Sequence, residues 1–150
     1  MAKNDDITHR ILHELQRNGR LSNLELAERV GLSPSACLRR VQDLERSGVI
    51  KGYRAVTDRA KMGLGFVAFV TVGLNTHTKA AQEAFERAVA RAPQVIECHN
   101  ITGAVEYLLR VEAEDLAAYK HWHTEVLGVL PQVRSITTFV VMDSPKDLRG

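Results

Sequence analysis

The chain has 150 residues, 45% of them hydrophobic and 25% charged, and a formal net charge of +2, ordinary values for one medium domain or two small ones. So small a charge excludes a uniformly basic nucleic-acid binder, and two cysteines, Cys37 and Cys98, make neither a disulfide framework nor a C-x-x-C metal pair. The polar start MAKNDDITHR lacks an apolar leader, and the apolar run LGFVAFVTVGL (64–74) falls short of the roughly 20 residues that span a membrane. The expectation is a cytoplasmic protein with no membrane partner. What charge asymmetry exists lies at the N-terminus: residues 1–56 carry ten Lys/Arg against seven Asp/Glu, residues 57–150 ten against eleven.

Residues 5–17 predict a helix, with Ile7, Ile11, Leu12 and Leu15 on one face. Asp5 and Asp6 sit at its positive end, and Asn18-Gly19 stops it. Ser22-Asn-Leu-Glu25 is a capping box. It opens a second helix whose stripe is Leu26 and Val30, with Leu24 and Ala27 beside it, and Gly31 is its left-handed stop. Ser33 caps a third helix, and Pro34 occupies its first turn, where no amide proton is missed. At about 100° per residue, Cys37, Leu38, Val41 and Leu44 gather on the apolar side. Ser35, Arg39, Asp43 and Arg46 lie opposite, with Arg40 and Gln42 on the flanks. Gly48 ends this helix. Val49-Ile50 and Tyr53–Val56 read as two short extended pieces around Lys51-Gly52, a small wing.

Two short helices joined by a tight turn are the pattern of a helix-turn-helix. In that arrangement Ser35, Arg39 and Gln42 point at base edges, and Arg40, Arg46, Lys51 and Arg54 at phosphates. Ser22, Asn23, Ser33 and Pro34, at the helix starts, complete the DNA-facing set. Arginine suits guanine because its fork matches O6 and N7. Spacing alone leaves open the other reading, a solvated basic face. Cys37 falls on the apolar side and reads as a small core residue.

Residues 57–65 (TDRAKMGLG) read as a linker between a domain at 1–56 and one at 66–150. The period then changes. FVAFVTVGL (66–74) is apolar on both faces, a central strand. TKAAQEAFERAVARA (78–92) is an amphipathic helix closed by Pro93. QVIECHNITG (94–103) and VEYLLRVEA (105–113) are strands around a Gly103-Ala104 turn. EDLAAYKHWHTEVLGVL (114–130) is a helix, and QVRSITTFVVM (132–142) the last strand. The order β-α-β-β-α-β predicts a ferredoxin-like sandwich, hence an α+β chain. Its strands are apolar on both sides while its helices cover one, so the open face predicts self-association with a second copy. Catalytic and metal chemistry is not legible. Cys98 and His99 point to opposite faces of a strand, His121 and His123 are two apart on a helix, and no Ser-His-Asp pattern is present. The chain reads as a binder, not an enzyme.

GRLSNLELAERVGLSPSACLRRVQDLERSGVIKGY (19–53), ECHNITGAVEYLLRV (97–111) and VLPQVRSITTFVVM (129–142) together resemble the Lrp/AsnC family of leucine-responsive, or feast/famine, transcriptional regulators. The resemblance runs from the first helix to about Lys146. It implies an N-terminal DNA-binding domain, a C-terminal domain for amino-acid sensing and oligomerisation, and dimers that assemble further, often to octamers. It implies promoter DNA and a free amino acid as partners, and no cofactor beyond that effector. The effector of such proteins sits where dimers meet, held partly by the loop between the second and third strands. That loop is Thr102-Gly103-Ala104-Val105-Glu106-Tyr107, where the family pattern is Gly-Asp-x-Asp-Tyr. Gly103 and Tyr107 match; Ala104 and Glu106 replace the two aspartates. Nearby candidates are Glu97, His99, Thr137 and Thr138. A zwitterionic ligand needs an anion for its ammonium and amides or hydroxyls for its carboxylate, and Glu106 supplies the anion. Thr8 stands where an acidic residue is usual in the first helix. The reading is a sequence-specific regulator modulated by a small amino acid. Two alternatives stand beside it: an effector-independent DNA organiser of the same fold, and an amino-acid-binding oligomer without DNA function.

Overall fold

A computed structural model describes the backbone of residues 2–147 and the side chains from Asp6 to Asp147. The chain divides into two compact units, Met1–Ala55 and Val56–Gly150.

The first unit is three helices, α1 (Ala2–Arg17), α2 (Asn23–Val30) and α3 (Pro34–Arg46). α1 begins three residues earlier than the periodicity suggested, so Asp6 lies inside the helix; the side chain of Asp5 is outside the described set. Ile11, Leu26, Ala27, Val30 and Cys37 are buried together, with Ile7, Leu15, Val41 and Leu44 packed around them. Leu24 and Leu38, expected beside or within the apolar stripe, are instead 66% and 46% exposed; Leu24 lies two residues before Leu26, about 200° round the helix, and Leu38 is one residue past the buried Cys37, at the edge of the covered face. The expected wing forms no ladder: residues 49–56 are not in strands. Ile50 instead returns its N–H to the Leu44 carbonyl at 3.0 Å.

The second unit is an antiparallel sheet with two helices on one face. β1 (Phe66–Leu74) and β3 (Tyr107–Ala113) are central, and β2 (Val95–Asn100) and β4 (Val133–Val140) form the edges, in order β2-β3-β1-β4. α4 (Lys79–Ala90) and α5 (Leu116–Trp122) cover the face bearing Ala68, Val70, Val72, Tyr107, Leu109 and Val111. Full burial of Val70, Val72, Leu109 or Val111 stabilises by about 1.5–3 kcal/mol each. α5 is shorter than the apolar pattern suggested. It passes into a π-helical turn, His123–Leu127, closed by Gly128 N–H to His123 C=O at 2.8 Å, and the wider turn puts both Trp122 and Leu127 inside.

The other face is less apolar than its strands promised. β3 places Arg110 and Glu112 there, only 8% and 3% exposed. Glu112 pairs with Arg110 at 3.4 Å and with Arg59 at 3.2 Å, and Arg110 reaches Asp147 at 3.1 Å. The stretch read as a linker is therefore fastened to the sheet. Residues 59–63 form turns, with Leu64 N–H bonded to Arg59 C=O at 2.9 Å. Buried charges persist only where they are paired, and here partners from both ends of the unit supply the pairing.

Candidate functional site

In the first unit, caps set the geometry of the helix pair. Ser22 Oγ accepts the Glu25 N–H at 3.2 Å, and Glu25 Oε2 accepts the Ser22 N–H at 2.9 Å. Gly31 closes α2 at φ 72°, a left-handed conformation that glycine adopts without cost. Ser33 Oγ accepts the Ala36 N–H at 3.3 Å. Asn23 Nδ2 donates to the Pro34 carbonyl at 2.8 Å, joining the two helix starts. Ser22, Asn23 and Ser33 thus have their side chains engaged in building the turn, and Pro34 is exposed at the first position of α3.

The outer face of α3 carries Ser35, Arg39, Gln42 and Arg46, all exposed, with Arg40 half-buried at its flank. Arg46 is held by Asp43 on the same helix, and its Nε donates to the Gln42 carbonyl at 3.4 Å, which orients it and offsets its charge. Lys51 and Arg54 are exposed on the segment after α3. Cys37 is fully buried, and desolvation pushes its thiol pKa up.

In the second unit the loop candidates divide between environments. Thr102, Gly103 and Ala104 are exposed, and Gly103 has φ 123°, which a side chain there would strain. Val105 is half-buried. Glu106 is 9% exposed. Its Oε2 accepts the Leu74 N–H at 2.6 Å and its Oε1 faces His77 Nδ1 at 2.7 Å. Tyr107 turns the other way, into the core beneath α4. It donates to Glu86 Oε1 at 2.6 Å and its ring lies 4.6 Å from Phe85. Burial, then Glu86, pushes its hydroxyl pKa up, so it remains a donor.

The register separates the remaining candidates by face. Glu97 and His99 stand opposite Arg110 and Leu108 on the side away from the helices, bonded to each other at 3.2 Å. Thr137 stands opposite Thr71 on that same side, exposed, whereas Thr138 pairs with Val70 and hydrogen-bonds Tyr119 beneath the helices. Tyr107 and Thr138 therefore share the helix-covered face; Glu97, His99 and Thr137 share the open one. A separate cleft of about 350 Å³ lies on the β2 edge, lined by Glu86, Val95, Cys98, Asn100 and Tyr107 among others. Burial, then Glu86, raises the Cys98 thiol pKa, which keeps that thiol protonated and a poor nucleophile.

Sequence reasoning missed His77, Glu86 and Arg134. A Cβ on Gly73 would collide with Ser135 Oγ and lie 3.6 Å from Arg134 Nη2 and from Val105 Cγ1. Gly73 is therefore the point where β4 and the loop converge. His77 and Glu86 stood in no motif, and their partners Glu106 and Tyr107 are remote along the chain; Arg134 lies in the 129–142 stretch, but nothing there set it apart. No group of three or more His, Cys, Asp or Glu that could hold a metal gathers among the described residues.

Comparison with known proteins covers both units. Residues 67–150 match the Lrp/AsnC ligand binding domain, and residues 4–51 match a winged helix-turn-helix DNA-binding domain. The leucine-responsive regulatory proteins of Salmonella typhimurium and Escherichia coli are each 42% identical over 142 residues, covering 95% of this chain and 87% of theirs. A transcriptional regulator from Neisseria meningitidis, solved as a complex with L-methionine, superposes with a TM-score of 0.90 at 37% identity. That match covers 94% of this chain and 91% of the other. An AsnC-family regulator from Agrobacterium tumefaciens gives a TM-score of 0.88 at 31% identity, covering 94% and 92%. The chain belongs to the Lrp/AsnC family: it is a DNA-binding transcriptional regulator that carries a ligand-binding domain.

Proposed function

We propose that the protein reads promoter DNA sequence-specifically through α3 and is modulated by a small amino acid bound where the ligand-binding domains of neighbouring dimers meet. The observation that carries this reading is the likeness, along 94% of the chain, to a regulator that holds L-methionine. Ser35, Arg39 and Gln42 are the base-reading side chains; Arg40, Arg46, Lys51 and Arg54 contact phosphates. Ser22, Asn23, Ser33 and Pro34 hold the turn at the backbone. On the effector side, Gly103 allows close backbone approach, Glu106 is the anion for the ligand's ammonium, and the neighbouring loop and open-face residues complete the pocket across the interface. The protein works by binding, in the cytoplasm; no described helix is long and apolar enough to cross a membrane.

Self-association follows from the open sheet face, where Phe139 is 57% exposed beside Phe69. A dimer sets two recognition helices about 34–36 Å apart, one turn of duplex. Further assembly multiplies the weak affinity of a single module, which is how a chain of net charge +2 holds DNA. Thermal unfolding against each of the twenty amino acids, with promoter retention measured alongside, tests the reading. A ligand at about 100 times its Kd adds roughly 2.7 kcal/mol of stability. One or a few stabilising amino acids that also shift promoter affinity support it. Promoter binding with no amino-acid response leaves an effector-independent organiser, and amino-acid binding without DNA retention at low salt refutes the DNA half.

A further inference from the structure

The carboxylate expected to receive a ligand's ammonium is already occupied by the chain itself. Glu106 is anchored through its backbone: its N–H donates to Val72 C=O at 3.1 Å, and its C=O accepts from Ile101 N–H at 2.8 Å and Asn100 Nδ2 at 3.2 Å. Its Oε2 is held by the Leu74 N–H, a fixed strand group. Only Oε1 is held by something able to leave, the imidazole of His77, whose side chain is 75% exposed on the short connection between β1 and α4. Next to this arrangement, Arg134 brings its guanidinium to within 3.6 Å of where a Cβ on Gly73 would stand, between the two residues that hold Glu106.

We propose that His77 is a latch on the effector loop and a specificity-determining residue: its imidazole fills the position on Glu106 Oε1 that an amino acid's ammonium takes, so the ligand binds by displacing it. The inference rests on the amino-acid reading above and deepens it. Displacement demands a ligand that replaces the imidazole's N–H donation with a stronger one, and an ammonium offers three charged donors where an imidazole nitrogen offers one. A 2-oxo acid of the same side chain offers none, and would leave a buried carboxylate unpaired on Oε1. Arg134 is then the cation on hand for the ligand's carboxylate. The recognised class is α-amino acids, with their 2-oxo counterparts rejected. A latch closed for nine-tenths of the time weakens apparent affinity tenfold, because only the open fraction binds.

The test uses the full-length protein, its His77→Ala and His77→Gln variants, and L-methionine, L-leucine and their 2-oxo acids as probes. Titration calorimetry reads affinity, and amide hydrogen exchange at Leu74, Ile101 and Glu106 reads the latch without any ligand. The expected result is faster exchange in His77→Ala, an amino acid bound about tenfold more tightly than by the parent, partial recovery of the parent behaviour in His77→Gln, and no binding of either 2-oxo acid. Unchanged exchange in His77→Ala overturns the latch whatever the ligand does. Faster exchange with unchanged or weaker amino-acid binding overturns the displacement. Faster exchange with no amino acid bound by parent or variant, in calorimetry with the two probes and in the thermal scan of all twenty, overturns the effector reading, and the specificity role with it, while the fastening of the loop stands.

Discussion

Glu112→Ala removes a carboxylate that is 3% exposed and leaves Arg110, itself 8% exposed, with Asp147 as its remaining ion-pair partner. Removing one member of a buried pair costs about 3–5 kcal/mol, because the survivor stays desolvated. Arg110 keeps the Asp147 contact at 3.1 Å and lies 5.8 Å from the Phe69 ring, which argues for the lower end, about 3 kcal/mol. The Arg59 pair adds at most about 1 kcal/mol, since that side chain is 31% exposed. The single tryptophan, Trp122, is buried in the same unit, so its fluorescence in urea reports that unit. With a slope near 1.5 kcal/mol/M, the midpoint falls by about 2 M at matched protein concentration. Glu112→Gln, which keeps the shape but not the charge, falls between. A shift of less than about 0.5 kcal/mol in Glu112→Ala would refute the claim that these charges depend on one another.

Three more predictions concern binding, assembly and pH. Arg39→Ala lowers discrimination between operator and unrelated DNA by about 1–3 kcal/mol, whereas Arg54→Ala weakens all DNA about equally and flattens the salt dependence; competitive gel shifts at two salt concentrations separate the two. Phe139→Asp, at an exposed position beside Phe69 on the open face, dissociates the assembly in light scattering while circular dichroism keeps the fold; an unchanged mass would assign the interface elsewhere. The helical unit weakens in acid. An Arg29 hydrogen bond holds Glu14 below the usual 4.5, and the Ser22 amide and hydroxyl do the same for Glu25. Depressed carboxylates contribute stability that is complete above about 4.5 and lost as pH falls through the lower folded values. Hydrogen-exchange protection in α2, taken relative to the intrinsic rate at each pH, should therefore fall below about pH 4.5, and less steeply in Glu25→Gln.

Local chemistry carried most of the fold. The capping box at Ser22, the proline after Ser33, the left-handed Gly31 and the change from a 3.6 to a 2 period after residue 65 are each complete within a few residues, so the sequence could place helices, strands and their order. It erred where the outcome depends on groups far apart. The winged helix-turn-helix match stands, but Val49-Ile50 and Tyr53–Val56, of strand composition, form no strand ladder. The linker looked free because its partner, Glu112, lies about fifty residues on. The apolar reading of the strands passed over Arg110 and Glu112, whose burial depends on Arg59 and Asp147 closing over them.

The loop at 101–107 divides the same way. Its glycine, its missing aspartate at Ala104 and its acidic Glu106 are legible from one line of sequence, because they are properties of neighbouring residues. That Tyr107 turns inward to Glu86 while Glu106 is held by Leu74 and His77 is not legible. A strand's alternation sends adjacent side chains to different surroundings, and only the packed sheet decides which remote residue waits there.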